Sequence, residues 1–424
     1  MAISARWLDF LREVSTEILE AQKPLRVIRA LDWPDEVERE FFSRGATILP
    51  QPSYSVPPGV ADALAAFKGL ARRLAGENEL ERFLCRTCDS MATAAHMLLS
   101  IGTRDFYHHS VELYGRPAGL SSDRRTTNLD LARHFEEVVA GFSPPPSVED
   151  QATLDAEQAA DLLRERFAGF FTEHPVKVKV VDHLAGTASS SGAEIRLKRD
   201  VQFSPRDLRQ IEVHEGQVHR ATTLNGRAQP VVPFIGVPSP RTTRTQEGLA
   251  VFTEFITGST SLLRVRRLCD RTLAIHQAES GASFLDLYRF FLERGHDQHN
   301  SFDCARRVVR GGLIEGGAPF TKDGCYLDGF LRVTNFLRIA LTKGQSQLVR
   351  LLFVGKLAVD DTPLFDRLAR EGLLAEPIYL PAWAKDLSFL TAFMSYTAFL
   401  GKSDLTAEQR RLEDQLARAD EDLD

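Results

Sequence analysis

The stretch that decides the fold is Ser204 to Arg220, S-P-R-D-L-R-Q-I-E-V-H-E-G-Q-V-H-R. Ser204 can cap an orphan amide, Pro205 suits the first helical position, and Asp207 places a carboxylate in the positive first turn, so a helix is expected to begin here. At about 100° per residue, Leu208, Ile211, His214, Glu215, Val218 and His219 share one face about 140° wide, with Arg209, Gln210, Gln217 and Arg220 opposite. The inward stripe therefore carries two imidazoles and a carboxylate where a plain core helix carries leucines. Burying such groups costs free energy unless they are hydrogen-bonded or bind a cation.

The familiar zinc-peptidase helix is H-E-x-x-H, whose histidines lie about 40° apart and converge on one metal. Here the spacing is H-E-x-x-x-H. On a regular helix the extra residue spreads the imidazoles by about 140°, so they meet at one ion only if the turn is distorted. A π-type widening brings residues i and i+5 together, and Gly216 is the point where that distortion is cheapest. The alternative is two histidines at the solvent edge of an ordinary core helix. A third ligand favours the metal. After Asn225-Gly226, a loop to Arg241 holds Pro230, Pro233, Pro238 and Pro240; then T-R-T-Q-E-G-L-A-V-F-T-E-F at 243–255 reads as a second amphipathic helix opened by Glu247. A Glu on a following helix is a common third ligand to a His pair, leaving a fourth position open.

H-E-x-x-x-H followed by Q-E-G-L-A resembles the domain family known by its QEGLA motif, whose eukaryotic members include the microtubule-associated tyrosine carboxypeptidases. The resemblance runs over residues of roughly 25 to 400 and includes L-Y-G at 113–115, the segment Val176 to Lys198, R-G-G at 310–312 and F-T-K-D-G-C-Y-L at 320–327. It implies zinc held by His214, His219 and Glu247, with Glu215 as the catalytic base. The expected fold class is α+β and mainly helical. It has a zincin-like metallopeptidase core with a small sheet beside the active-site helix, and an N-terminal helical region.

With 424 residues, the chain is long enough for two or three domains' worth of core. Its 43% hydrophobic and 26% charged content is that of a soluble globular protein. A net charge of −6 with mixed signs indicates no nucleic-acid surface. The N-terminus lacks a signal-peptide pattern and no uncharged apolar run reaches about 18 residues, so no membrane association and a cytoplasmic location are expected. The five cysteines are scattered, and Cys85-x-x-Cys88 has no second pair to complete a zinc site, so structural thiols are expected.

Helices are expected over the opening segment, 57–76, 78–101 and 128–141, making residues 1–146 an N-terminal helical accessory region. The run Ser143-Pro144-Pro145-Pro146-Ser147 reads as a linker. Residues 147–400 form the expected catalytic domain, and 401–424 a C-terminal helical tail. After a helix at 154–170, V-K-V-K-V-V-D at 176–182 alternates as a half-buried strand, a loop covers 186–192, and 193–198 forms a second strand. Ala193 to Leu197, or the loop before it, is expected to line a substrate groove; the bland alternative is a plain hairpin. His296-x-x-His299 is a competing metal constellation, read as a turn. Arg310 and Lys322 are candidates for recognising a substrate's terminal carboxylate, against the alternative of solvated charge. Tyr326 is a candidate oxyanion donor, against ordinary packing.

Together these readings describe a zinc-dependent peptidase, most simply a carboxypeptidase. It would remove a C-terminal residue from a peptide or flexible protein tail by metal-activated water, with Glu215 taking the proton. The alternatives are a catalytically inactive zinc-binding module and a regulatory interaction protein without metal. Neither has a use for an intact Glu215. The oligomeric state is not legible in the sequence.

Overall fold

Two Ser-Pro steps set the positions of the two helices that matter most. Ser204 caps the helix Pro205–Ile211: its Oγ accepts from the Asp207 amide at 3.1 Å, while Asp207 accepts from the Ser204 amide at 2.9 Å. Ser239 with extended backbone and Pro240 at the first helical position start the helix Pro240–Ile256. That helix therefore begins before the expected segment, and Glu247 lies two turns inside it rather than opening it. The computed structural model describes residues 5–74, 76–121, 123–140, 148–184, 186–191 and 194–421. The linker read at Ser143 to Ser147 lies outside the described residues, as does Ala193.

The chain is mainly helical, with one three-stranded mixed sheet in the order β1-β3-β2, where β1 is Lys177–Val181, β2 is Ala188–Ser191 and β3 is Glu194–Lys198. Val178 of β1 pairs in parallel with Ile195 of β3, and Ser190 of β2 pairs antiparallel with Ile195 on its other side. Two expectations change here. The stretch 186–192 is not all loop, because Ala188–Ser191 forms a strand. A-S-S-S has no period-two alternation, so only its pairing with β3 makes it one. The strand at 194–198 is central and paired on both sides, so it has no free backbone edge for a peptide; β2 is the edge strand on the metal-helix side.

Val178, Ile195 and Leu197 pack with Ala159, Leu163 and Phe167 of the helix Ala156–Phe170 and with Leu208, Ile211, Ala221 and Leu224. A second core joins Val218 to Leu249 and Phe252, and to Val333 and Leu337 of the helix Cys325–Thr342. The segment between Ile211 and Ala221 is thus gripped by a core on either side. The N-terminal helices Ala5–Ala21, Val60–Arg73 and Glu79–Leu99 share a third core with Val231 to Ile235 and with Leu351 to Leu368.

The helix carrying the histidines does not stop at Asn225-Gly226, as the sequence pattern suggested, but runs on through Ala221–Arg227. Asn225 is used as a buried tie, donating to the carbonyls of Phe353 and Tyr379 at 2.8 Å and accepting from the Tyr379 amide at 2.9 Å. Gly226 is there for contact: a Cβ would come within 2.4 Å of the Gly236 nitrogen. A helix unmarked in the pattern, Arg104–Tyr114, leads into Gly115.

The helices Pro240–Ile256 and Cys325–Thr342 touch backbone to backbone at Gly248 and Gly329, where a Cβ on Gly248 would lie 2.1 Å from the Gly329 carbonyl. Gly248→Ala should therefore destabilise the protein by about 1–3 kcal/mol or more through overpacking. Gly169→Ala, at a helical glycine with nothing within 4 Å, should be neutral or slightly stabilising. Thermal denaturation of the two variants side by side checks this; equal melting temperatures would contradict it.

Candidate metal centre

Glu212–Arg220 is a π-helix inserted between the α-helical segments Pro205–Ile211 and Ala221–Arg227. The Ala221 amide reaches back five residues to the Gly216 carbonyl. This is the widening that a five-residue histidine spacing requires, since in a π register residue i+5 stacks over residue i. Gly216 serves it by packing: the Phe167 ring occupies the place of a side chain, and a Cβ would lie 2.3 Å from Phe167 Cε1.

The two imidazoles consequently meet edge to face, with centroids 4.8 Å apart. His214 Nε2 lies 3.5 Å and His219 Nε2 3.6 Å from Glu247 Oε2. The three ligand atoms all fall within 4.8 Å of one another, and among the described residues no other group of His, Cys, Asp or Glu converges in this way. Ligands about 2.0–2.1 Å from a tetrahedral ion stand roughly 3.4 Å apart, so the spacing fits a shared cation better than direct hydrogen bonds. Glu247 Oε2 is also buried without a hydrogen bond. A buried carboxylate oxygen in that condition, facing two imidazole nitrogens, is what a metal site presents before the ion is added. A His–His–Glu cluster able to hold a metal is thus in place.

Charge alternates outward from this cluster. Burial works to raise the pKa of Glu247, but Lys322, whose Nζ donates to Oε1 at 3.2 Å, and the two imidazoles hold it well below the usual carboxylate range. On the other side His214 Nδ1 donates to Glu254 Oε1 at 2.6 Å. Glu254 is fully buried and also accepts from Gln210 at 3.2 Å and from Arg264 at 3.1 and 3.0 Å. Burial opposes the charge of both partners, yet Arg264 and His214 bring Glu254 down to about 2, and Glu247 and Glu254 push His214 up to about 10. This bond leaves Nε2 of His214 directed at the cluster, as a metal-binding tautomer needs.

Glu215 is half-buried beside His214 and makes no hydrogen bond among the described residues. Tyr326 packs with its ring 6.4 Å from that of His214 and is surrounded by cations: Arg264, Arg271 and Lys322 lie 5.9, 6.0 and 5.6 Å from its centroid. Burial, with Glu247 nearby, raises its pKa. Lys322 is joined to Glu247. Arg310 is not brought to the cluster's ligands; it is buried against Phe320, in the electrostatic reach of Tyr54 and Asp32. His296 and His299 turn to Asp270 and Glu38 and do not converge. The five cysteines are free, Cys85 and Cys88 included.

Several residues that build the site escaped the sequence reading. Glu254 follows Glu247 by seven residues and so returns to within about 20° of its face, a signal present in the pattern. Gln246, Thr222 and Lys356 meet behind His219, and only the last comes from a remote part of the chain. Burial lowers the pKa of Lys356 to about 8 against the pull of Glu247 and Glu215.

Fold and site define a mainly helical protein, with a small mixed sheet, built around a His–His–Glu cluster suited to a metal. The family model described as microtubule-associated tyrosine carboxypeptidase matches residues 39–402, and the chain belongs to that family. A carboxypeptidase-type activity on protein or peptide C-terminal tails goes with that membership. Comparison with curated proteins gives no match. Among the described residues, no helix is long and apolar enough to cross a membrane.

The His214–Glu254 pair predicts a pH signature in the metal-free protein. His214, raised from 6.5, contributes stability that is complete below about pH 6.5 and lost as pH climbs toward 10. Glu254, lowered from 4.5, contributes stability present above about pH 4.5 and lost as pH falls toward 2. The difference in melting temperature between the parent and Glu254→Gln should therefore be widest between about pH 4.5 and 6.5 and should shrink on both sides. A difference independent of pH would contradict the pairing.

Proposed function

We propose that the protein is a zinc metallocarboxypeptidase that removes a C-terminal residue from a peptide or flexible protein tail. The observation that carries the reading is the convergence of His214, His219 and Glu247 on one point, with a buried Glu247 oxygen left unbonded. Two imidazoles and one carboxylate, with a position left over for water, is a donor set of catalytic zinc. When bound, zinc brings the pKa of a water toward about 7 and polarises a carbonyl.

The chain's own groups supply the rest. Glu215, adjacent to His214 and without a hydrogen bond among the described residues, takes the proton of the attacking water and passes it to the leaving amine. Tyr326 directs its phenol toward the charge that develops on the scissile carbonyl. Lys322 holds Glu247 charged and in place. Arg267 and Arg271 project from the same face of the helix Leu262–Glu279 as Arg264; Arg271 pairs with Asp323 at 3.9 Å, whereas Arg267 has a buried Nε without a hydrogen bond among the described residues. Burial and mutual repulsion lower the pKa of Arg267 to about 10, so it stays charged at neutral pH. A substrate's terminal carboxylate is a partner suited to the Arg267 guanidinium. Arg310, within electrostatic reach of Arg307 and Asp323, adds to the positive charge of this region. The edge strand β2, next to the metal helix, offers backbone to an extended tail in the manner of zincin-like peptidases. In this reading residues 147–400 are the catalytic unit, residues 1–146 buttress it, and 401–424 form a tail.

Glu215→Gln should retain zinc, measured by metal analysis, and lose peptide hydrolysis by a factor of about 100 or more. Hydrolysis retained in that variant would remove Glu215 from the base role. Cleavage of a peptide with a free C-terminus, tyrosine among the terminal residues tried, is compared with its amidated twin. The free form alone should be cut, and Arg267→Gln should raise KM for it by about tenfold or more. Equal cleavage of both forms would count against a carboxypeptidase, and zinc held without turnover on any peptide pool would favour an inactive binding module.

A further inference from the structure

A π-helix is less favourable than the α-helix into which it relaxes, and relaxation here would swing His219 away from His214. Something must hold the register. Behind the metal cluster lie three buried polar side chains: Thr222 on the continuation of the histidine helix, Gln246 on the helix that carries Glu247, and Lys356 from a remote part of the chain. Lys356 is 7% exposed, Gln246 5% and Thr222 0%.

Lys356 Nζ donates to the main-chain carbonyl of His219 at 3.1 Å, to Thr222 Oγ1 at 3.3 Å and to Gln246 Oε1 at 3.2 Å. The Thr222 hydroxyl lies 2.9 Å from the same Gln246 oxygen and 2.8 Å from the Val218 carbonyl. Thr223 adds a bond to the His219 carbonyl at 2.8 Å. The ammonium therefore joins the backbone of one ligand, His219, to the residue immediately before another, Glu247. Its own position is fixed from outside the site. The Lys356 amide donates to the Ile235 carbonyl at 2.6 Å, and Gly355 lets the chain approach so closely that a Cβ would lie 2.5 Å from Ile235 Cγ1.

We propose that Lys356, acting with Gln246 and Thr222, is a positioning residue that locks the π register of residues 212–220 and sets the distance between His219 and Glu247. The ammonium does not touch the ligand atoms, so it acts through them. Its three donors match three acceptors, which a methionine of similar length cannot replace. The backbone part of this inference stands by itself; the part concerning metal affinity rests on the reading of the cluster as a zinc centre.

The test uses the full chain and two substitutions, Lys356→Met and Thr222→Val, with Thr222→Ser as the conservative control. In metal-free protein, amide hydrogen exchange over residues 214–222 should speed up by about tenfold or more in Lys356→Met and in Thr222→Val. Other helices should be unchanged, and Thr222→Ser should follow the parent. With metal added, zinc affinity from chelator competition should fall by about 10–100-fold in the two variants. The visible spectrum of the cobalt-substituted protein should shift as the ligand geometry changes. Unchanged exchange over 214–222 in a folded Lys356→Met or Thr222→Val variant overturns the lock. Faster exchange with unchanged zinc affinity and cobalt spectrum overturns its role at the ligands. If the parent chain binds neither metal while the variants still exchange faster, the lock stands and the zinc reading falls.

Discussion

Two imidazoles placed five residues apart on one helix cannot face a common point unless the helix is unwound to a π register, and much of the surrounding structure answers to that demand. The π segment is short of good backbone geometry, so its support comes from outside. Phe167 fills the space above Gly216, Val218 is fixed in one core while Ile211 and Ala221 are fixed in another, and side chains bond the His219 carbonyl. A distortion clasped on every side in this way is kept by packing rather than by local preference.

The second constraint is charge. Lys322, Glu247, His214, Glu254 and Arg264 form a buried row of alternating sign. Each member is tolerated because its neighbours are opposite and hydrogen-bonded, and removing any one leaves an uncompensated charge in a low dielectric. A divalent cation among His214, His219 and Glu247 fits this row, since the carboxylate end of the cluster carries the free oxygen. Around Tyr326 positive charge gathers: Arg264, Arg271 and Lys322 lie 5.9, 6.0 and 5.6 Å from its ring, and Arg271 is also paired with Asp323 at 3.9 Å.

The motif Q-E-G-L-A can be read residue by residue. Gln246 ties the helix to Thr222 and Lys356, and Glu247 reaches the histidines. Gly248 admits the backbone of Gly329, and Leu249 and Ala250 enter the core that also holds Val218. Five consecutive residues thus join the site to its scaffold with no side chain left idle.

The amino-acid sequence by itself determined the helix start at Ser204-Pro205, the inward face with two histidines and a glutamate, the need for a widened turn, and the candidate third ligand at position 247. These follow from local geometry, because angular spacing along one helix is fixed by the chain. It also carried the alternation that makes β1 and β3 strands. Only tertiary structure decided that A-S-S-S at 188–191 is an edge strand, that Asn225-Gly226 continues a helix, and that Gly216 answers to Phe167. Each of these depends on a partner outside the segment's own pattern, the β3 ladder, the carbonyls of Phe353 and Tyr379 around Asn225, or a ring from another helix. The same reason hid Lys356: a lone lysine reads as solvated charge until the fold places three acceptors around it.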